Sequence, residues 1–475
     1  MTVRVAPLPV TMNAAALFAG RALVAMLSFL FLISAARFLG VSGFGRFMLV
    51  RMYFDLLLTL SVTGLGILIT REIAKAPALG PTYLGTAAPL VIPLATLMGG
   101  ALALAAPLAG YGADVRSMLW LVCLALVPAS FAVLCEAVFV AVGKAPVVMM
   151  GTFTEVALYA GIGVFLLSRG HSGQSLFTAL ILTRTALASV YIIVLWRLFG
   201  QIPRPGSYAF TKRLCRDWRT FACENWLANI TSSVSTIVLS VFHGEATVGL
   251  YAAASRITNV GTPLAASFTS AMFPHLSRLH AESNASFRRV GEDSVKYMLA
   301  IALPAVVIIA TFADWIITTL YGHAYSAAVP VLRIVIWVFV LNFVNPFVSH
   351  LLFARGEQIR SLRVGAVTAV VATGLSLALI PRLGAVGAAS ALLGSAALAC
   401  CLFCVNAFRP NPARVLMTFG KAALAAAALA GFLALTRHAS PAALVAGGVG
   451  IYLGALALLR VSSPREVAVF LRGLP

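Results

Sequence analysis

Three arginines stand where chemistry is least expected: Arg21, Arg51 and Arg256 each lie inside a run of apolar residues. A guanidinium presents forked donors that match phosphate or carboxylate oxygens. Holding a charge near mid-bilayer costs about 3 kcal/mol on insertion scales, so each such residue calls for a partner or a wet cavity. Their neighbours are polar at helical spacing. Arg256, Asn259, Pro263, Ser267 and Ser270 step by 3, 4, 4 and 3, which at about 100° per residue places them in one narrow stripe. Asn225, Asn229, Ser232, Thr236 and Ser240 share a second face, Asn13, Arg21 and Ser28 a third, and Arg51 and Asp55 stand at i, i+4. Brought together, these faces, with the arginines and with Asn225, Asn229 and Asn259, would line a cationic, hydrated chamber. The competing reading is structural, with Arg51 and Asp55 neutralising one another, the small polar residues serving as helix-packing contacts, and Arg21 and Arg256 snorkelling to the interface.

Carboxylates in the apolar runs are few. Asp55 and Glu155 are the candidates for exchanging a proton or sodium ion. Arg184, with Glu136 and Glu155 on the two preceding helices, also reads as a buried ion pair. Arg333 points away from Asn342, Asn345 and Ser349 and begins close to a helix end, so snorkelling is expected of it. Catalytic signatures are missing: the sequence has no GxxxxGK[ST], no HExxH and no His–carboxylate cluster at metal spacing. Cys401 and Cys404 form a CxxC on an apolar helix without His or acidic neighbours, which suits packing rather than metal or redox chemistry. Transport or passive channel behaviour that needs no cofactor, rather than enzyme chemistry, is the expectation.

The elements that carry these residues follow from composition. Of the residues 61% are hydrophobic and 10% charged, against roughly 25% charged in soluble domains. Apolar runs of about 20 residues, enough to cross the hydrocarbon core, recur throughout. They place about fourteen helices near 13–36, 44–69, 83–108, 117–142, 146–168, 174–197, 220–242, 248–273, 296–320, 329–354, 362–380, 385–407, 415–436 and 441–460. The net charge of +20 would suggest nucleic acid in a soluble chain. Here the basic residues concentrate in alternate connections, most densely over 197–219, so the bias reads as a topology signal with both termini cytoplasmic and with anionic lipid as its contact. Residues 1–35 resemble a signal peptide, but the run is long and contains Arg21, so it is expected to remain as the first helix.

A weak repeat organises the whole. FLGVSGFGRF at 38–47 and FHGEATVGLY at 242–251 align Gly40, Gly45 and Phe47 with Gly244, Gly249 and Tyr251, at a constant offset of 204 residues. Six helices separate the copies, so both halves keep the same orientation and are related by an axis along the membrane normal, a known transporter architecture. The expected organisation is an all-α polytopic membrane protein with an N-terminal lobe at 1–219, a C-terminal lobe at 220–410, and two further helices and a cytoplasmic tail at 411–475.

The chain resembles the polysaccharide biosynthesis, or oligosaccharide flippase, family, Wzx-type flippases within the superfamily that includes multidrug and toxin extrusion transporters and lipid II flippases. The likeness is carried by ARFLGVSGFGRF at 36–47, VGLYAAASRI at 248–257, FPHLSRL at 273–279, LYGHAYSAAVPVLRI at 320–334 and LIPRLGAVGAA at 379–389. The resemblance implies translocation of an undecaprenyl-pyrophosphate-linked oligosaccharide across a bacterial inner membrane, by alternating access and for surface polysaccharide such as lipopolysaccharide or exopolysaccharide. A polymerase and glycosyltransferases are the implied partners. By helix and depth, Arg21, Arg51 and Arg256 look similar to the cavity arginines of lipid II flippases. Two alternatives stay open: an ion-coupled multidrug or metabolite exporter of the same fold, and a non-transporting scaffold of a glycan assembly complex.

Overall fold

A computed structural model describes residues 10–62, 64–200, 204–409, 411–436 and 441–458, and every regular element among them is helical. Two compact units divide the chain, Met1–Gly249 and Leu250–Pro475. In the first, α1 (Val10–Val62), α2 (Leu65–Lys75), α3 (Gly80–Ala105), α4 (Ala113–Ala141), α5 (Ala145–Ser168) and α6 (Gly173–Phe199) precede α7 (Tyr208–Asn259), which crosses the division. The second continues with α8 (Thr262–Glu282), α9 (Asn284–Thr311), α10 (Ala313–Tyr321), α11 (Val329–Val335), α12 (Val338–Ala354), α13 (Gln358–Ala407), α14 (Ala413–Leu435) and α15 (Pro441–Leu458).

Three of these helices are interrupted by a single glycine: Gly40 (φ 66°, ψ 179°) in α1, Gly244 (φ 73°, ψ −174°) in α7 and Gly384 (φ 55°, ψ −130°) in α13. Positive φ is the region that glycine enters without a Cβ penalty. In α1 the interruption reverses the chain. Phe31 and Phe47 are sixteen residues apart, yet their ring centroids lie 6.5 Å apart, where a straight helix would separate them by about 24 Å. In α13 a Cβ on Gly394 would lie 3.2 Å from Leu375, on the other side of Gly384. Gly40 and Gly244 are equivalent positions of the sequence repeat and share one backbone conformation to within a few degrees. Among the described residues ten stretches are long and apolar enough to span a membrane. With each side of the three glycines taken separately and α15 added, the described residues contain fourteen segments, matching the number and order read from hydropathy.

The eighth expected span is not one helix. It ends at Asn259 and restarts at Thr262, with Gly261 at the junction and Pro263 in the first turn. Proline has no N–H for the preceding turn and is favoured at a helix start, so the stripe expected from Arg256 to Ser270 is broken after Asn259. The second span behaves alike: α1 stops at Val62 and α2 begins after Gly64 (φ 88°).

Each unit builds its own core. In the first, α4 packs against α3 and α6, and α1 against α5. Leu65, Leu68, Ile69, Leu134, Val138, Phe139 and Tyr191 are fully buried there. In the second, α12 packs against α8 and α13, and α9 against α14. Large apolar side chains such as Leu97, Leu124, Ile192, Val370 and Leu424 remain exposed, as expected of faces that meet hydrocarbon rather than water.

Candidate functional site

In the first unit the polar residues form a connected cluster. Arg51 donates from Nε to both Asp55 oxygens, at 3.1 and 3.2 Å, because a helical i, i+4 spacing stacks the two side chains. Its guanidinium lies 5.5 Å from the Phe54 ring centroid. The pair is asymmetric: the Arg51 side chain is 25% exposed and that of Asp55 48%. Behind it, Tyr159 and Glu155 lie within electrostatic reach of Arg51. Glu155 is 3% exposed and approaches Arg184 Nε at 3.2 Å. Its second oxygen has no hydrogen-bond partner among the described residues, and the Tyr159 hydroxyl faces Arg51. Glu136 accepts a long 3.4 Å bond from the Tyr191 hydroxyl and also feels the charge of Arg184. Both sequence-derived ion pairs are therefore formed. What the spacing did not reveal is that Tyr159 and Tyr191 stand beside them, since a tyrosine in an apolar run carries no pattern of its own.

The glycine repeat makes a second assembly. Gly45 and Gly249 come together so closely that a Cβ added to Gly249 would lie 3.2 Å from the Gly45 Cα. Around them Arg46 pairs with Asp114, and with Glu245 at 3.5 Å. The Tyr111 hydroxyl stands 2.9 Å from Tyr53 and 2.7 Å from Ser240. Trp226 donates from Nε1 to the Leu60 carbonyl at 2.9 Å. Ser240, expected on a polar face, is thus buried in a packing contact. Ser232, from the same expected face, is exposed and donates to the Asn229 carbonyl. Asn229 is half-buried and engaged in interactions of its own.

In the second unit Arg256 is half-buried within electrostatic reach of Tyr321, the tyrosine of the LYGHAYS segment, and Asn259 is exposed at the end of α7. The side chains of Arg21 and Asn225 lie outside the described residues, as do those of Ser267 and Ser270. Ser28 donates to the Val24 carbonyl of its own helix. Beyond the apolar stretches, at the end of α2, hydrogen bonds from Lys75 and Arg71 hold the Glu72 carboxylate below its ordinary range. Of the CxxC cysteines, Cys401 is exposed and Cys404 buried against Cys400. Among the described residues no three His, Cys, Asp or Glu side chains gather at metal-binding distances.

Comparison with known proteins adds the family. The model of the polysaccharide biosynthesis protein family matches residues 10–280, and the MatE model matches 221–378. A probable low-salt glycan biosynthesis flippase, Agl15 of Haloferax volcanii, is 23% identical over 237 residues. The chain spans about half the length of that curated relative, 49%, with 49% of itself. Among solved structures, a lipid II flippase, MurJ, in its inward closed conformation aligns with a TM-score of 0.71, at 13% identity over 94% of this chain and 98% of that one. An inward-facing multidrug resistance MATE family transporter of the MOP superfamily aligns at 0.65, with 17% identity over 84% and 96%. These relatives are flippases and transporters, not enzymes, and the likeness in fold runs nearly end to end. The chain, a multi-pass membrane protein, belongs to the polysaccharide biosynthesis protein family.

Proposed function

We propose that the protein is a flippase that moves an undecaprenyl-pyrophosphate-linked oligosaccharide across the bacterial inner membrane by alternating access, with both termini in the cytoplasm. The product serves surface polysaccharide assembly, and the polymerase and glycosyltransferases of that assembly are its partners. The observation that carries this reading is Arg51: a guanidinium within an apolar helix, paired to a half-exposed Asp55 and backed by the buried Glu155–Arg184 pair. A charge fixed at that depth and still partly accessible suits a pyrophosphate, which arginine meets with two parallel donors. The probable glycan biosynthesis flippase and the lipid II flippase among the similar proteins support a substrate of this class.

In this reading Arg51 in the first unit and Arg256 in the second receive the phosphates, with Arg21 as a further cation. Asn225, Asn229 and Asn259 meet sugar hydroxyls. Asp55 and Glu155 are the groups through which a proton or sodium gradient drives the cycle. No cofactor is required. In liposomes containing the purified protein, a lipid-linked oligosaccharide placed in the inner leaflet becomes open to a membrane-impermeant glycosidase outside. Equal protection in empty vesicles and proteoliposomes would remove the proposal.

A second reading rests on the MatE match over 221–378 and on the MATE transporter of similar fold: an ion-coupled exporter of drugs or metabolites. It predicts gradient-driven efflux of organic cations from the same vesicles without any lipid-linked sugar. The arginines proposed here for the substrate would disfavour cations, which ranks this reading below the first.

A further inference from the structure

The second unit contains a cavity of about 440 Å³ between α9, α11 and α14. Its walls are apolar: Val307 and Ala310 from α9, and Ala423, Ala426, Ala427 and Ala430 from α14. The rest of the lining differs: exposed Arg333, Trp337, 37% exposed, and Thr311 complete it. Among the described residues no carboxylate lines the cavity. Snorkelling accounts for the position of Arg333 near the start of α11. It does not account for a hollow of this size lined in part by the same residue.

We propose that this cavity is a binding site for an anionic glycerophospholipid of the bilayer, with one acyl chain laid along the alanine wall of α14 and the headgroup phosphate on Arg333. The wall chemistry selects the chain. Alanines at 423, 426, 427 and 430 follow helical spacing and leave a smooth trough, whereas leucines would fill it. Charge complementarity selects the head. Arg333 brings a positive charge and forked donors to a phosphate, and juxtamembrane basic residues draw anionic lipid. A zwitterionic head would bring an ammonium group beside the guanidinium, with no lining carboxylate to receive it. Trp337 has an indole suited to the headgroup boundary, where tryptophan gathers. On the loop-charge topology the site belongs to the leaflet facing away from the cytoplasm. It is independent of the transported substrate and concerns a resident lipid.

Trp337 makes the site readable. The protein is reconstituted in vesicles containing either phosphatidylglycerol or phosphatidylcholine with brominated acyl chains, which quench tryptophan on contact. Because there are six tryptophans, the W337F variant identifies the component that belongs to Trp337. The expected result is a roughly fivefold preference of that component for quenching by phosphatidylglycerol, the size anticipated for one basic residue facing anionic lipid. R333Q should bring the preference close to one, R333K should retain most of it, and A427L should abolish quenching by both lipids. Equal quenching by the two lipids in the unaltered protein overturns the proposal. So does a preference that persists in R333Q, or quenching that W337F leaves unchanged.

Discussion

Gly45 and Gly249 face one another across a gap that admits no side chain. A methyl group on Gly45 would collide with the carbonyl oxygen of Glu245, and one on Gly249 with that of Val41. These obstacles are backbone, which cannot rotate away. The glycines are equivalent positions of the repeat, so the motif visible in sequence as two similar loops is, in the folded chain, one contact.

Gly45→Ala or Gly249→Ala should therefore be costly, by about 1–3 kcal/mol as for other overpacked sites. Gly161→Ala in α5, where an added Cβ meets nothing within 4 Å, should be neutral or slightly stabilising, since alanine is the better helix former. Thermal unfolding in detergent checks both. Equal melting temperatures for all three variants would show that the close approach is not maintained.

Arg51→Ala should abolish glycan export while protein is still found in the membrane. Its structural partner Asp55 is half exposed, so removing the arginine does not strand a buried charge. Arg51→Lys should retain only part of the activity, because an ammonium lacks the fork that holds two phosphate oxygens. Export assayed in cells, with membrane levels measured alongside, distinguishes the two. Full export by Arg51→Ala would remove this residue from the substrate site.

Glu155 and Arg184 should behave as a unit. Replacing Arg184 by alanine strands the buried Glu155, a loss of about 3–5 kcal/mol for buried pairs, whereas Glu155→Ala should cost less because Arg184 still faces Glu136. Replacing both by apolar residues of similar volume should recover much of it. A double-mutant cycle on detergent stability reads the coupling. If the double replacement is stable but transport no longer follows an imposed ion gradient, Glu155 belongs to the coupling machinery and not to the scaffold alone.

Tyr111→Phe should remove the hydroxyl that bridges Tyr53 and Ser240. At about 1 kcal/mol for each net hydrogen bond, and with the ring retained for packing, the loss should be modest. It should also be non-additive with Ser240→Ala, because both changes break the same 2.7 Å contact. Additive effects would mean that the hydroxyls do not share a bond.

Much of this protein is legible without coordinates because a membrane leaves so few solutions. Every backbone polar group must be satisfied within the hydrocarbon, so apolar runs of sufficient length become helices. Counting those runs recovers the fourteen segments and their order. The i, i+4 spacing of Arg51 and Asp55 likewise specifies its own contact, since helical geometry alone brings the side chains together. The glycine pattern could be aligned by offset, and the matching angles at Gly40 and Gly244 follow from a residue type that tolerates positive φ.

Other features depended on contacts between segments far apart in the chain. Periodicity extended one polar stripe from Arg256 to Ser270, whereas Gly261 and Pro263 end the helix and divide it. Tyr111, Tyr159 and Tyr321 acquire meaning only when Ser240, Arg51 and Arg256 arrive beside them. Arg333, read from sequence as a snorkelling residue, lines a hollow that its own helix cannot make. Local sequence determined what could cross the bilayer and which side chains were stacked within a turn. Packing between helices decided which polar atoms meet, because such contacts depend on the relative rotation of separate rods, and no spacing along one of them encodes it.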